Sequence, residues 1–147
     1  MKCSAASRLF TKSSSFAKQN RSYNAFCDVF SITAFESAYR QGEAWLRQLM
    51  VYLENNLNVL MDYFESEVPV IKAIRPEGSY LVWLDCRALG MSVKELREWM
   101  IGRAKVGLND GCLFGSGGEG FQRINIACPL PVLMNALERI KQAVKSR

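Results

Sequence analysis

Apolar positions recur at steps of three and four along the first half of the chain. From Ser31 to Ser66 this step continues unbroken, which predicts one long helix with Ser31 as its N-cap. Glu36 and Glu43 lie toward its positive end. We interpret its second half as a core helix under a sheet. The residues that set the step are Phe35, Ala38, Gly42, Trp45, Leu49, Leu53, Leu57, Leu60 and Phe64.

Two short apolar runs follow this helix and predict a pair of strands. Pro69 ends the helix and the first strand covers residues 70–74. A proline-glycine turn at residues 76–79 then leads into a second strand over residues 80–86, so the two are expected to pair antiparallel. We interpret Tyr80 and Trp83 on the second strand as core aromatics.

The remaining pattern predicts two more helices and one more short strand. Ser92 with Glu95 is a capping box, and an apolar stripe follows it. Residues 106–108 predict a short strand, and a last helix begins after Pro129 and Pro131. The fold class predicted is α+β, a two-layer domain with a sheet of three or four mainly antiparallel strands. Its helices lie on one face, and a long helix precedes them. The last helix has its apolar positions at Leu133, Ala136, Leu137, Ile140 and Val144.

The stretch from Phe114 to Pro129 joins a glycine-rich loop to a strand that carries one basic residue. From Phe121 onward polar and apolar residues alternate with a period of two, which indicates a strand with one apolar face and Arg123 on the other. A guanidinium held on a rigid strand can bind a carboxylate or phosphate in bidentate geometry. The alternative is an exposed arginine paired with a surface acid.

The glycines of this loop match a dinucleotide-binding pattern in letters but not in context. Gly115, Gly117 and Gly120 satisfy G-x-G-x-x-G, but that motif must follow a strand and open a helix, whereas here a strand follows. We therefore exclude a dinucleotide site. The glycines supply a backbone that can adopt positive φ and approach a ligand closely.

This stretch, ending R-I-N-I-A-C-P after a glycine-rich loop, resembles the C-terminal part of fold-type I pyridoxal-phosphate enzymes. The likeness is strongest to the MalY/PatB group of C–S β-lyases within the class I/II aminotransferases. It covers the chain from about Asn24 to the C-terminus. Three further stretches agree with it in order: residues 38–42 (AYRQG) with Trp45 and Leu46, residues 77–85 (EGSYLVWLD) and residues 111–115 (GCLFG).

The resemblance implies a function and a role for Arg123. In these enzymes pyridoxal phosphate carries the chemistry, and the small domain lends one arginine that grips the substrate's α-carboxylate; Arg123 falls on that position. It implies a C–S β-lyase or aminotransferase acting on sulfur amino acids such as cystathionine or cysteine conjugates, and a homodimer for the full-length enzyme. The alternative is a non-catalytic small domain that binds a carboxylate or another protein.

Composition restricts the remaining functions. The hydrophobic fraction of 49% indicates a globular domain. The sequence has no run of about 18 apolar residues, which excludes a membrane span. All five basic residues of the net +5 charge precede the first acid, Asp28, so the body is neutral and nucleic acid is not an expected partner. Without histidine, imidazole zinc sites and histidine triads are excluded, and we expect no metal site. Five cysteines without a C-x-x-C pair predict reduced thiols and a cytoplasmic location.

The first 23 residues form a basic, serine-rich head that we separate from the small domain at residues 24–147. Its charge and lack of apolar period predict disorder, and its composition also resembles a mitochondrial presequence. A second interpretation follows from the family, in which the cofactor lysine lies in an S-K-x-F-N segment. Here Ser7 to Thr11 stands in its place with Arg8 for the lysine, which predicts a fragment inactive alone and without a bound cofactor.

Overall fold

The computed structural model describes residues 28–147. The predictions made for the head, its disorder and the arginine at position 8, lie outside the described residues. The chain divides into two compact units, Met1–Trp45 and Leu46–Arg147. The boundary between them falls within the longest helix.

The first unit contains helix α1 (Val29–Gln41), which begins earlier than predicted. Its N-cap is Asp28, whose carboxylate accepts hydrogen bonds from Ser31 N at 2.9 Å and Ser31 Oγ at 2.8 Å. These bonds lower the pKa of Asp28. The prediction of Ser31 as the cap was therefore wrong, because an aspartate three residues earlier satisfies the free N–H and adds negative charge at the positive end.

The single long helix predicted from the pattern is interrupted at Gly42. Helix α2 (Glu43–Glu67) follows directly. The N–H of Gly42 still donates to the Ala38 carbonyl at 2.9 Å, and a Cβ at position 42 would collide with that same carbonyl. Glycine is the weakest helix former after proline, so the helix is interrupted at Gly42 although the apolar pattern continues past it.

The second unit is built on four antiparallel strands in the order β1-β2-β4-β3. They are β1 (Lys72–Ile74), β2 (Leu81–Asp85), β3 (Asn109–Asp110) and β4 (Phe121–Asn125). The predicted pairing of the first two strands is confirmed. The third strand is three residues later than predicted, because Lys105 turns the chain at φ 54° and Val106 N bonds the Met100 carbonyl. Only at Asn109 does the chain reach the edge of β4.

In this unit, residues of α2 and two further helices pack on one face of the sheet and confirm the predicted two-layer α+β class. Helix α3 (Val93–Gly102) begins at the capping box of Ser92 and Glu95, and α4 (Leu130–Lys145) ends the chain. Within residues 28–147, no helix combines the length and hydropathy that crossing a bilayer requires. The buried side chains come from both layers: Leu57, Leu60, Phe64, Val82, Leu84, Leu96, Met100, Ile124, Ile126, Leu133, Leu137 and Ile140.

Helix α2 holds the segment after β4 through a pair of polar side chains one turn apart. Asn56 is fully buried, and its Nδ2 donates to the carbonyls of Ile126 at 2.9 Å and Cys128 at 3.0 Å. The Tyr52 hydroxyl accepts from Leu130 N at 2.7 Å. These bonds fix the course of the chain immediately after the strand that carries Arg123.

Candidate functional site

The face of the sheet opposite the helices carries Arg123. Residues paired directly across antiparallel strands share a face, and the register aligns Ile74 with Trp83, Trp83 with Arg123, and Arg123 with Asn109. Gln122 and Ile124, on the alternate positions of β4, are buried on the helix side. The predicted two-faced strand is confirmed.

The two aromatic residues predicted for the core do not lie in it. Trp83 is half-buried on the open face, and Tyr80 lies just before β2 with 45% of its surface exposed. The interpretation of both as core aromatics was wrong. Val82 and Leu84, which alternate with Trp83, fill the core instead, and Trp83 shares its side of the strand with Asp85.

Arg123 contacts an aromatic ring and an amide, but no carboxylate among the described residues balances its charge. Its guanidinium stacks on the Phe114 ring at 4.0 Å from the centroid, and Nη2 lies 3.4 Å from Asn109 Oδ1. Its Nε is buried and has no hydrogen-bond partner among residues 28–147. No carboxylate in that described range comes within ion-pair distance of it, so the alternative of a surface acid pair is not what the structure has.

Arg87, a neighbouring arginine on the same face, differs from Arg123 because it is paired with a carboxylate. Arg87 forms a two-pronged pair with Asp85, at 2.9 Å from Nε to Oδ1 and 2.7 Å from Nη2 to Oδ2. The hydrogen bond from Arg87 lowers the pKa of Asp85. Arg87 also lies over the Phe121 ring at 4.9 Å. One arginine of the face is thus neutralised within the chain, whereas Arg123 keeps its charge available.

The glycine loop places Phe114 against both Arg123 and Trp83. A short 3-10 turn (Gly111–Phe114) leads into it, and Gly115 and Gly120 adopt φ of 134° and 77°, which only glycine tolerates readily. Gly111 and Gly118 touch through their backbones, so a Cβ on either would collide with the other. The Phe114 and Trp83 rings then meet edge to face at 5.5 Å.

A pocket of about 340 Å³ opens beside this ring pair. Arg123 was predicted from the sequence as a site residue, whereas Trp83 and Phe114 were not predicted as walls of the site. The sequence does contain a signal for Trp83. It shares its side of the strand with the charged Asp85, whereas the aliphatic Val82 and Leu84 occupy the other side. The pocket is lined by Ile74, Trp83, Gly111, Phe114, Gly115, Gly117, Gly118 and Phe121.

The chemistry available at this face is anion binding. An unpaired guanidinium with a buried N–H suits a carboxylate. The described residues that line the pocket and the cleft beside Arg123 include no lysine, so they offer no amine for the imine anchor of pyridoxal phosphate. In the described range no group of histidine, cysteine or carboxylate side chains is arranged to hold a metal.

Three known proteins are similar to this chain, the first in sequence and the other two in sequence and fold. Cystathionine beta-lyase PatB of Bacillus subtilis (strain 168) is 43% identical over 117 residues, 80% of this chain and 30% of PatB. Cystalysin of Treponema denticola, which contains pyridoxal 5'-phosphate, is 39% identical with a TM-score of 0.78, covering 80% of this chain and 30% of its own. The pyridoxal-phosphate-bound C–S lyase of Staphylococcus hominis is 32% identical with a TM-score of 0.77, covering 90% and 33%. No protein-family model matches the chain.

By sequence and fold the chain corresponds to the small domain of a fold-type I pyridoxal-phosphate enzyme of the class I/II aminotransferase superfamily. Within that superfamily it belongs with the MalY/PatB group, which contains cystathionine β-lyases and C–S lyases. Pyridoxal phosphate is the cofactor of these proteins. The chain spans about a third of the length of the relatives it matches.

Proposed function

We propose that this chain supplies the substrate-carboxylate grip of a pyridoxal-phosphate-dependent C–S β-lyase that acts on sulfur amino acids such as cystathionine or cysteine conjugates. The observation that carries the proposal is Arg123, a guanidinium whose buried Nε has no hydrogen-bond partner, and which has no carboxylate within ion-pair distance, among residues 28–147. A buried donor without a partner costs about 1–3 kcal/mol, which a bound carboxylate would offset.

Arg123 would orient the substrate and neutralise its charge, without transferring a proton. A bidentate pair fixes the carboxylate plane, and the Phe114 ring beneath the guanidinium limits its movement. Asn109, 3.4 Å from Nη2, supports the same geometry. Pyridoxal phosphate, when bound, withdraws electrons from the α-carbon so that a thiol can leave the β-carbon.

The test is a ¹H–¹⁵N NMR titration of the 147-residue chain with S-methyl-L-cysteine, following the Arg123 Nε–H signal. We expect this signal to shift saturably. Arg123→Lys keeps the charge but loses the fork, and we expect about tenfold weaker binding, followed through the indole N–H of the adjacent Trp83 because this variant has no Arg123 signal. Arg103→Lys, an exposed arginine at the end of α3, is the matched control and should bind as the wild type does. An unchanged Arg123 signal would overturn the proposal.

The cofactor is a separate question for this chain. Because Arg8 stands where the family has its lysine, and no lysine lines the described site, we expect no borohydride-reducible adduct with pyridoxal phosphate at one defined lysine. Mass spectrometry of the reduced, digested protein measures this. A single modified lysine, accompanied by lyase activity toward cystathionine, would contradict it.

A second candidate function is a non-catalytic domain that binds a carboxylate or another protein. Arg8, which stands where the family has its cofactor lysine, favours it. Release of pyruvate from S-methyl-L-cysteine by the protein mixed with pyridoxal phosphate would overturn this candidate. A homodimer of the complete enzyme and a cytoplasmic location stay predictions.

A further inference from the structure

Strand β3 has only two residues, and neither residue type favours a strand. Asparagine and aspartate are depleted in sheets and are more typical of turns. Asn109 and Asp110 nevertheless pair with Arg123 and Gln122 of β4 in antiparallel register. A contact other than strand propensity must therefore hold the chain at this edge of the sheet.

A buried polar pair on the helix side of the sheet supplies that contact. Gln122 Nε2 donates to Asp110 Oδ1 at 2.9 Å, and both residues are buried. Arg97 of α3 reaches the same carboxylate, with 3.4 Å between its Nε and Asp110 Oδ2. A buried carboxylate is unfavourable without such partners, so a slip that moved Asp110 away from Gln122 would be costly. The pair therefore fixes the register of β3 against β4.

Asp110 stands in the chain between the two groups that contact the Arg123 guanidinium. Asn109 precedes it, and Asn109 Oδ1 lies 3.4 Å from Arg123 Nη2. The 3-10 turn Gly111–Phe114 follows it, with Asp110 as its N-cap, and ends at the ring that the guanidinium covers at 4.0 Å. A displacement of Asp110 would therefore move the amide and the start of this turn together.

We propose that Asp110 and Gln122 are positioning residues for Arg123. Their hydrogen bond behind the sheet holds in place the amide and the ring that orient the guanidinium on the open face. The inference rests on the proposed function of Arg123, since a bidentate grip on a carboxylate depends on where the fork points. Both side chains are buried on the helix side, so they act on the ligand only through Arg123.

Two substitutions at Asp110 differ chiefly in whether they keep the acceptor. Asp110→Asn retains an oxygen for Gln122 Nε2, whereas Asp110→Leu has none. Both are neutral, close to aspartate in size, and lose the ion pair with Arg97. The measurements on the 147-residue chain are the Arg123 Nε–H signal without ligand and the affinity for S-methyl-L-cysteine. We expect Asp110→Leu to shift the free signal and to bind about tenfold more weakly than Asp110→Asn, the effect of about one lost hydrogen bond.

Gln122→Met removes the donor from the other side of the same bond and keeps a side chain of similar length. We expect it to act as Asp110→Leu does, and it gives the same comparison if Asp110→Leu does not fold. Ile71→Ala is the control for stability alone. Ile71 is buried next to β1, at the opposite edge of the sheet from β3. Its truncation destabilises the protein but should leave the Arg123 signal and the affinity as in the wild type.

The outcomes separate this inference from the proposed function. An unshifted Arg123 signal in the variants that lose the bond, or an equal shift in Ile71→Ala, overturns the positioning role. Wild-type affinity in a variant whose signal has shifted also overturns it, as does Asp110→Asn behaving like Asp110→Leu. If S-methyl-L-cysteine does not bind the wild type, the carboxylate grip is overturned, and the ligand-free signal still decides whether Asp110 and Gln122 position the guanidinium.

Discussion

Asn56 holds the segment of the chain that directly follows the Arg123 strand. Its amide donates to two carbonyls of the segment that leaves β4, from a fully buried position. Asn56→Ala removes both bonds, leaves the two carbonyls without that donor and opens a small cavity. We expect a loss of unfolding free energy of about 2 kcal/mol or more, measured by urea denaturation.

Asn55 provides the control for this prediction. It is the same residue type on the same helix, but its side chain is exposed. Asn55→Ala should change stability by less than about 0.5 kcal/mol. Equal effects of the two substitutions would show that the bonds to Ile126 and Cys128 contribute nothing specific.

We expect Cys86 and Cys112 to differ in thiol reactivity, because Cys86 is buried in the folded protein and Cys112 is not. Burial raises the pKa of the Cys86 thiol to about 12, and the charge of Asp85 adds to it. Cys112 is exposed. At pH 8 we expect iodoacetamide to modify Cys112 in the folded protein and Cys86 only after unfolding, as peptide mass spectrometry would show.

The same burial has a consequence for stability at high pH. The pKa of Cys86 in the folded protein lies above that of an unfolded thiol. Its contribution to the free energy of unfolding is therefore fully present below about pH 8.5 and is lost as the pH rises through the folded pKa. Cys86→Ala should flatten this decline between pH 8.5 and 11. Rapid labelling of Cys86 in the native protein would contradict both expectations.

At the scale of elements, the loop that carries Phe114 depends on the contact between Gly111 and Gly118. Because a Cβ on Gly118 would overlap the Gly111 backbone, Gly118→Ala must displace the loop. We expect it to cost about 2 kcal/mol or more in urea denaturation and to shift the Trp83 indole signal. Gly117→Ala, one residue away and with open space around its Cβ, should leave the stability and the Trp83 signal unchanged. Equal effects of the two substitutions would show that the contact between Gly111 and Gly118 is unimportant.

Local patterns predicted the elements whose signals are themselves local. The period of two found β4 and its polar face, and Ser92 with Glu95 marked the start of α3. Patterns failed where a distant partner decides the outcome. Asn109 and Asp110 look like turn residues, yet they form β3 because β4 lies beside them, where Gln122 Nε2 donates to Asp110 Oδ1 at 2.9 Å.

The candidate site was half predictable for the same reason. Arg123 stands out because it is a lone guanidinium on an alternating strand. Phe114 could not be assigned to it, since its position depends on the positive φ of Gly115 and on the closure of the loop. Among residues 28–147 no carboxylate pairs with Arg123. This depends on how the sheet folds and cannot be seen in the sequence.

At the scale of the whole molecule, α1 presents a large apolar surface. Phe30, Phe35 and Tyr39 are 87%, 65% and 79% exposed, and among the described residues of α1 none is buried. Exposed apolar patches of this kind drive association. We expect the chain to self-associate, with a sedimentation coefficient that rises with concentration.

A Phe30→Ser, Phe35→Ser double change should make the chain monomeric and leave its fold intact, because neither ring is in the core. Ser37→Ala on the same helix is the control and should associate as the wild type does. A monomeric wild type, or a double variant that unfolds, would show that these rings are covered within the chain.

The contact between Gly111 and Gly118 ties the two ends of the loop together, whereas a Cβ at Gly117, between them, meets no atom within 4 Å. Ser116 and Gly117 are exposed. Inherited changes at these positions could therefore reshape the wall of the pocket while the strand beneath keeps its guanidinium in place. The shape of this pocket could diverge between lineages one loop residue at a time, with no accompanying change in the position of the guanidinium.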